Sequence, residues 1–486
     1  MSAATAGDAP AVAWETVIGL EVHAELRTAT KLFCGCRNSF GEEPNTNVCP
    51  VCLGLPGSLP VLNKAAVEYA MRIGSALHCG IQASIFHRKN YFYPDMPKDY
   101  QISQYDVPIN VDGWLELSGG ERIGIVRAHL EEDTGKTTHV GGGGRIHEAG
   151  YSLVDFNRAG VPLVEIVSAP DIRSSEQARS YVEELRAILV ATGASDGKME
   201  EGSLRVDANV SVRPAGSGGF GTRCEIKNMN SLRSLGRAIE YEAARQVAVV
   251  QGGGEVVQET RHWDEAAGRT GSMRSKEEAY DYRYFPEPDL VPVDPGEAWI
   301  SAVASALPPL PASRRAAVAG ASGMDASSDA VATVVRLGLD PFVEAVAGGP
   351  GSRENVAAIA VRRLANEVAA EIDSVGRLSP ASFAALVRME ADGSLTAAQS
   401  RTVLKELLAS GGEPKEVAGR LGFEAMAAGD LEAVVEEVIA AHPEEWARFL
   451  AGEDKLTGFF VGHIKVATEG RANLGAASAL LRALRG

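Results

Sequence analysis

An α+β chain is expected: an N-terminal mixed-sheet domain, then an all-α domain and a helical tail. Three observations predict this. Residues 13–295 are rich in short alternating strands, Gly and Pro turns and aromatics; from 296 onward Ala, Leu, Val and Glu recur at helical spacing; and the break A-D-G-S-L-T near 392 precedes a fresh helical run. The expected domains are therefore 13–295, 296–391 and 392–486. A chain of 486 residues is too long for one hydrophobic core. No apolar run reaches the roughly 18 residues that a membrane helix needs. Residues 1–12 lack the basic start and apolar centre of a signal peptide and read as a disordered extension, so a reducing cytoplasm is the expected compartment. The net charge of −17 argues against wholesale nucleic-acid coating but leaves room for a local basic surface.

The first structured stretch, Glu15 to Leu26, alternates strictly. Thr16, Ile18, Leu20, Val22, Ala24 and Leu26 share the face that can join a core, and Glu21, His23 and Glu25 form a polar row on the other. Carboxylate, imidazole and carboxylate in a row suit a divalent cation or proton transfer; a solvated strand face is the plainer alternative.

Next come Cys34-Gly-Cys36 and Cys49-Pro-Val-Cys52, separated by 12 residues. In a reducing compartment two close thiol pairs point to a structural zinc knuckle over 34–52, with reduced structural thiols as the other reading. Cys79 and Cys224 stand apart and read as core residues. Helices are expected after Asn63, and after Ser174 or Ser175 with Gly193 as the stop.

Further strands carry acid where a core strand would not. H-L-E-E-D-T-G-K places Glu131, Glu132 and Asp133 side by side, and Leu130 replaces the leading Gly that a phosphate-wrapping P-loop requires. Glu165 interrupts the apolar V-P-L-V-E-I-V-S and needs either a cation or an ion-pair partner. Along L-R-V-D-A-N-V-S-V-R, Arg205, Asp207 and Asn209 share a polar face able to grip phosphate, metal and an amide, or simply to meet solvent. Glu225 and Lys227 end a strand just before a helix capped by Asn230 or Ser231, a corner suited to phosphate oxygens. Two Tyr-, Pro- and charge-rich stretches, with Lys89 and Tyr91 in the first and D-Y-R-Y-F-P in the second, can stack a purine or stand as ordered loops.

In the second half, helical spacing runs through S-S-D-A-V-A-T-V-V-R-L and N-V-A-A-I-A-V-R-R-L, and Ser394 is the expected cap of a helix starting near Thr396. From Lys455 onward five cations, Lys455, Lys465, Arg471, Arg482 and Arg485, stand against the single acid Glu469. Such a segment can contact phosphates, or can merely compensate helix dipoles.

The motifs E-T-V-I-G-L-E-V-H, Y-F-Y-P-D-M-P-K-D-Y-Q-I-S-Q, L-E-E-D-T-G-K, S-L-V-D-F-N-R-A-G-V-P-L-V-E-I-V, K-M-E-E-G-S-L-R-V-D-A-N-V-S and D-Y-R-Y-F-P-E-P-D-L, in this order, closely resemble the B-subunit family of the tRNA-dependent amidotransferases, GatB. K-L-T-G-F-F-V-G-H-I-K-V-A-T-E-G-R-A-N-L-G resembles the family's tail domain, so the resemblance covers essentially the whole chain.

That resemblance implies a catalytic cradle over 13–295 with a kinase and transamidase site, and a tRNA-binding helical tail. It implies that ATP phosphorylates the side-chain carboxylate of glutamate on tRNA(Gln) or aspartate on tRNA(Asn), and that ammonia displaces the phosphate. The ammonia would come through a channel from a glutaminase A subunit, with a small C subunit clasping both. By resemblance Glu21, His23, Glu132 and Glu165 would surround Mg²⁺, with Glu225 and Lys227 further catalytic candidates. His23 is an unusual Mg²⁺ ligand, and the alternative is that it acts through water or by tuning a neighbour. Arg205, Asp207, Asn209, Lys89 and Tyr91 would contact ATP or substrate; Cys34, Cys36, Cys49 and Cys52 would hold structural zinc; Lys455, Lys465 and Arg471 would contact tRNA. Glu25 is then the expendable member of its row. The insert Gly141 to Ala149 and Leu474, where Pro is common, depart from the family pattern.

Overall fold

Ile18, Leu20, Val22 and Ala24 alternate with Gly19, Glu21, His23 and Glu25, and this pattern alone decides which face of strand β1 (Trp14–Glu25) enters a core. All four apolar residues are fully buried. The computed structural model describes residues 13–141, 149–273, 282–349, 354–423, 428–468, 472 and 474–485, and it divides into the units Met1–Pro311 and Ala312–Gly486. The expected N-terminal extension, most of the Gly-rich insert and Arg471 lie outside the described residues.

The first unit is built on a mixed sheet, as the strand-rich composition predicts. Its strands are β1, β2 (Gly80–Ile81), β3 (Ile85–Asn90), β4 (Tyr100–Val107), β5 (Asn110–Glu116) and β6 (Arg122–Glu132), then, beyond the separate hairpin β7 (Lys136–Val140) and β8 (Tyr151–Asp155), β9 (Pro162–Ser168). The remainder are β10 (Leu204–Pro214), β11 (Cys224–Lys227), β12 (Thr260–Asp264), β13 (Arg269–Ser272) and β14 (Phe285–Pro286). Across the sheet the order is β13-β12-β11-β10-β1-β9-β6-β4-β3-β14, with β5 on β6 and β2 on β5. β11 and β12 run parallel, whereas β1 is antiparallel to both β9 and β10.

Helices α1 (Lys64–Ala76), α2 (Ser175–Ala191), α3 (Leu232–Gln251) and α4 (Gly296–Ser305) cover one face. They bury Ile73, Tyr181, Leu235 and Val303 in the same core as Leu20, Val206, Ile166 and Leu130. The opposite face of the central strands is left to the polar residues. The caps follow local chemistry: Asn63 Oδ1 accepts from Ala65 N at 2.9 Å, Ser174 Oγ from Gln177 N at 3.1 Å and Ser231 Oγ from Ser234 N at 3.0 Å. Gly193, at φ +71°, follows α2 in the left-handed region open to glycine.

Helices from Pro311–Ser322 to Leu474–Arg485 form the second unit. Val331, Val343, Leu364, Phe383, Leu404 and Leu407 share one core, and Val435, Phe449, Phe460, Ile464 and Leu481 another. Thr396, rather than the expected Ser394, caps the helix Ala397–Ser410. Gln399 three residues on closes a reciprocal capping box with Thr396, a partner that Ser394 lacks.

Candidate functional site

Strand register brings the polar residues together. His23 of β1 lies opposite Arg205 of β10 on one side and Glu165 of β9 on the other, and Glu165 lies opposite His129 of β6. One row across the sheet therefore reads Arg205, His23, Glu165, His129. Residues so paired hold their Cβ atoms about 5 Å apart, close enough for side chains to converge over the sheet.

At the centre, His23 Nε2 is 3.7 Å from Glu131 Oε1 and 3.9 Å from Glu165 Oε2. Ligand atoms of these three residues all fall within 4.8 Å of one another. His129 Nε2 lies 3.3 Å from Glu165 Oε2 and 3.9 Å from Glu131 Oε2. His129 is fully buried, yet neither of its ring nitrogens has a hydrogen-bond partner among the described residues.

Burial holds the His23 imidazole down to about 4 even though Glu165 opposes the shift, so the ring is neutral at pH 7 with a lone pair to offer. Burial, reinforced by Glu165, pushes the Glu131 carboxyl up to about 8. Glu21 is also raised, by burial first and then by Glu165 and Glu225. Carboxyl groups that resist ionisation for want of a counter-charge, around a neutral imidazole, fit a divalent cation. An ion there would supply the missing positive charge.

On the β10 and β11 side, Asn209 Nδ2 donates to Glu21 Oε1 at 3.0 Å, and Lys227 Nζ donates to Asp207 Oδ2 at 2.7 Å. Lys227 lies 2.9 Å from Glu225 Oε1, and Thr260 Oγ1 donates to Glu225 Oε2 at 2.8 Å. Burial opposes the Lys227 ammonium, but Asp207 and Glu225 outweigh it and raise its pKa. Arg205 donates to Asp133 Oδ2 at 2.8 Å, and burial with Asp133 raises Glu25 to about 7. Lys89 Nζ lies 4.8 Å from the Tyr282 ring centre; Tyr91 stacks on Tyr93 at 5.7 Å, and burial pushes its phenol up to about 12.

Glu132 is not brought to this group. Adjacent strand residues point to opposite sides, so Glu132 turns away from Glu131 and accepts from Ile102 N at 2.9 Å and from the buried Lys98 ammonium. Glu131, His129 and Arg127 occupy the polar face of β6 instead. The signal for them was in the strand: Ala128 and Leu130 are the apolar alternates, which places Arg127, His129 and Glu131 together opposite them.

The four Cys converge too. The Sγ atoms of Cys34, Cys36, Cys49 and Cys52 lie within 4.8 Å of one another, a spacing that fits one tetrahedral ion. A hydrogen bond from the Cys34 thiol draws Cys52 down to about 5, aided by the Cys49 N–H and by the buried Lys31 ammonium 3.9 Å away. Gly54, at φ +64°, lies so near Lys98 that a Cβ there would sit 2.5 Å from Lys98 Cγ. Cys224 is buried and Cys79 packs against the first core, as expected.

In the second unit Lys455 and Lys465 are exposed at the two ends of the helix Leu456–Ala467. Arg485 is held in an ion pair with Asp454.

Comparison with known proteins follows the same division. Residues 16–301 match the family model described as the GatB/GatE catalytic domain, and residues 340–484 the GatB domain. The B subunit of the aspartyl/glutamyl-tRNA(Asn/Gln) amidotransferase of Brevibacillus brevis is 48% identical over 479 residues, covering 96% of this chain and 98% of that protein. Its counterpart from Carboxydothermus hydrogenoformans is 48% identical over 476 residues, 96% of this chain and 98% of that protein. The one from Frankia casuarinae is 49% identical over 488 residues, 96% and 95% of the two chains. Matches at this identity over nearly the full length, together with both domain matches, establish that the chain belongs to the GatB family of amidotransferase B subunits.

Proposed function

We propose that this protein carries the ATP-dependent amidation site for misacylated Glu-tRNA(Gln), Asp-tRNA(Asn) or both. The convergence of His23, Glu131 and Glu165 from three strands onto one face of the sheet is the observation that carries this reading. In the first step a carboxylate oxygen of the aminoacyl side chain bonds to the γ-phosphorus of ATP and the bond to ADP breaks. In the second, ammonia attacks the carbonyl carbon, the C–O bond to phosphate breaks, and one proton leaves the nitrogen.

His23, Glu131 and Glu165, with Glu21 beside them, would hold Mg²⁺, which when bound neutralises phosphate charge and aligns the carboxylate. Glu21 is oriented by Asn209, and Lys227 is fixed by Asp207 and Glu225 at the rim, where an ammonium suits phosphate oxygens. Lys89, on β3 at the far end of the strand order from Lys227, and Tyr91 just beyond it suit the nucleotide. The thiol cluster holds structural zinc, and the tail, through Lys455, Lys465 and Arg471, meets the tRNA. Ammonia comes from a glutaminase A subunit through a channel between subunits, with a C subunit completing a cytoplasmic heterotrimer.

The test is amide formation by the reconstituted heterotrimer on each misacylated tRNA with free ammonium as donor. Glu131→Gln or Glu165→Gln is expected to abolish it while glutamine hydrolysis by the partner continues. Full activity in both variants overturns the assignment.

A further inference from the structure

Arg127, a cation on the polar face, has no close hydrogen-bond acceptor among the described residues. Lys227 hydrogen-bonds to Asp207, and Arg205 to Asp133. Among the described residues, Arg127, on the same side of β6 as His129 and Glu131, has only the long 3.7 Å approach of its Nη2 to Glu165 Oε1. Its Nε is buried with no hydrogen-bond partner among the described residues. The guanidinium is nevertheless fixed, with its central carbon 4.5 Å from the Tyr105 ring centre, and Tyr105 stacks on Tyr284 at 5.3 Å. A buried N–H left unmet is costly until an acceptor arrives.

We infer that Arg127 grips the phosphoryl group during its transfer from ATP to the aminoacyl carboxylate. The assignment rests on the ATP-dependent reading above and gives that reading a phosphate contact outside the Glu225–Lys227 corner. The planar fork of Arg127 presents two N–H groups in one direction, which matches two non-bridging oxygens of a phosphoryl group. The Tyr105 ring orients the fork without supplying an acceptor that would compete with phosphate. Negative charge spreads over those oxygens as the bond to ADP breaks and the bond to the carboxylate forms, so the contact strengthens on the way to the transition state. Arg127 contacts the transferred group directly, whereas His23, Glu131 and Glu165 would act on it through the cation they would hold.

The experiment compares unsubstituted, Arg127→Gln and Arg127→Lys heterotrimers. It measures phosphate release dependent on misacylated tRNA, equilibrium affinity for ATP and for ADP, and the Mg²⁺ concentration giving half-maximal rate. Arg127→Gln is expected to slow phosphate release on the order of 10²- to 10³-fold. It should also weaken ATP by about tenfold while leaving ADP and the Mg²⁺ half-saturation unchanged, since only ATP presents the group Arg127 grips. Arg127→Lys should recover only part of the rate, because an ammonium offers no fork. Unchanged phosphate release in Arg127→Gln overturns the assignment, as does equal loss of ATP and ADP. So does a shifted Mg²⁺ half-saturation with the preference for ATP intact, which would mean that Arg127 merely orients Glu165. Failure of the unsubstituted heterotrimer to turn over ATP with either misacylated tRNA overturns the proposed function itself, and the assignment with it.

Discussion

Glu131 and Glu132 are neighbours in one strand, yet their carboxyl groups serve different sides of the sheet. Glu131 lies 3.7 Å from His23, whereas Glu132 accepts from Ile102 N at 2.9 Å and from the Lys98 ammonium. The division follows from the two-residue repeat of a strand, and it assigns the two acids to different kinds of work.

Substitution should separate them. Glu131→Gln is expected to lower ammonia-driven amide formation on the order of 10²-fold or more without lowering the melting temperature. Glu132→Gln removes the partner of a buried ammonium and should destabilise the protein by about 3–5 kcal/mol. Thermal unfolding beside ammonium-dependent turnover checks both; a stable, fully active Glu132→Gln protein would refute the ion-pair argument.

Metal and pH should act together. Glu131 has its pKa raised from 4.5 to about 8 by burial and by Glu165, so the folded state holds the proton more tightly than the unfolded chain. The stabilisation this gives is therefore present below about 4.5 and is lost as pH rises toward about 8 in the metal-free protein. Added Mg²⁺ binds the ionised form and should restore stability more at the upper end of that window than at the lower. Melting curves with and without Mg²⁺ at both ends give the comparison, and Glu131→Gln should flatten the contribution of this group.

The thiol cluster should contain one zinc ion per chain by elemental analysis. Cys52→Ser or a strong chelator is expected to remove it and to lower the melting temperature, since ligand binding there contributes folding free energy. A preparation that is metal-free, reduced and equally stable would point to structural thiols alone.

For tRNA, point substitution is a cleaner probe than removing residues 392–486. Leu404 and Leu407 belong to a core shared with Val331 and Phe383, so a cut at 392 would strip a packed interior. Lys465→Glu leaves Phe460 and Ile464 in place and should raise KM for tRNA several-fold while flattening its salt dependence. Identical tRNA kinetics at low and high salt would argue against a contact there.

Much of this was legible in the chain. The alternation of Ile18, Leu20, Val22 and Ala24 determined the buried face of β1, Glu165 announced itself as an acid in an apolar strand, and the spacing of four Cys marked a cluster of thiols. These signals are local, because the pleat and short turns act over a few residues. The acidic run Glu131-Glu132-Asp133 carried no phase of its own, and its phase depended on Ala128 and Leu130 before it. Only the tertiary structure decided that Glu131 meets His23 and Glu165, because that meeting depends on antiparallel register between strands distant in sequence. The same register left Arg127 on the rim of the candidate site with its Nε unmatched among the described residues, and made the Glu21 and His23 pair one wall of that candidate site.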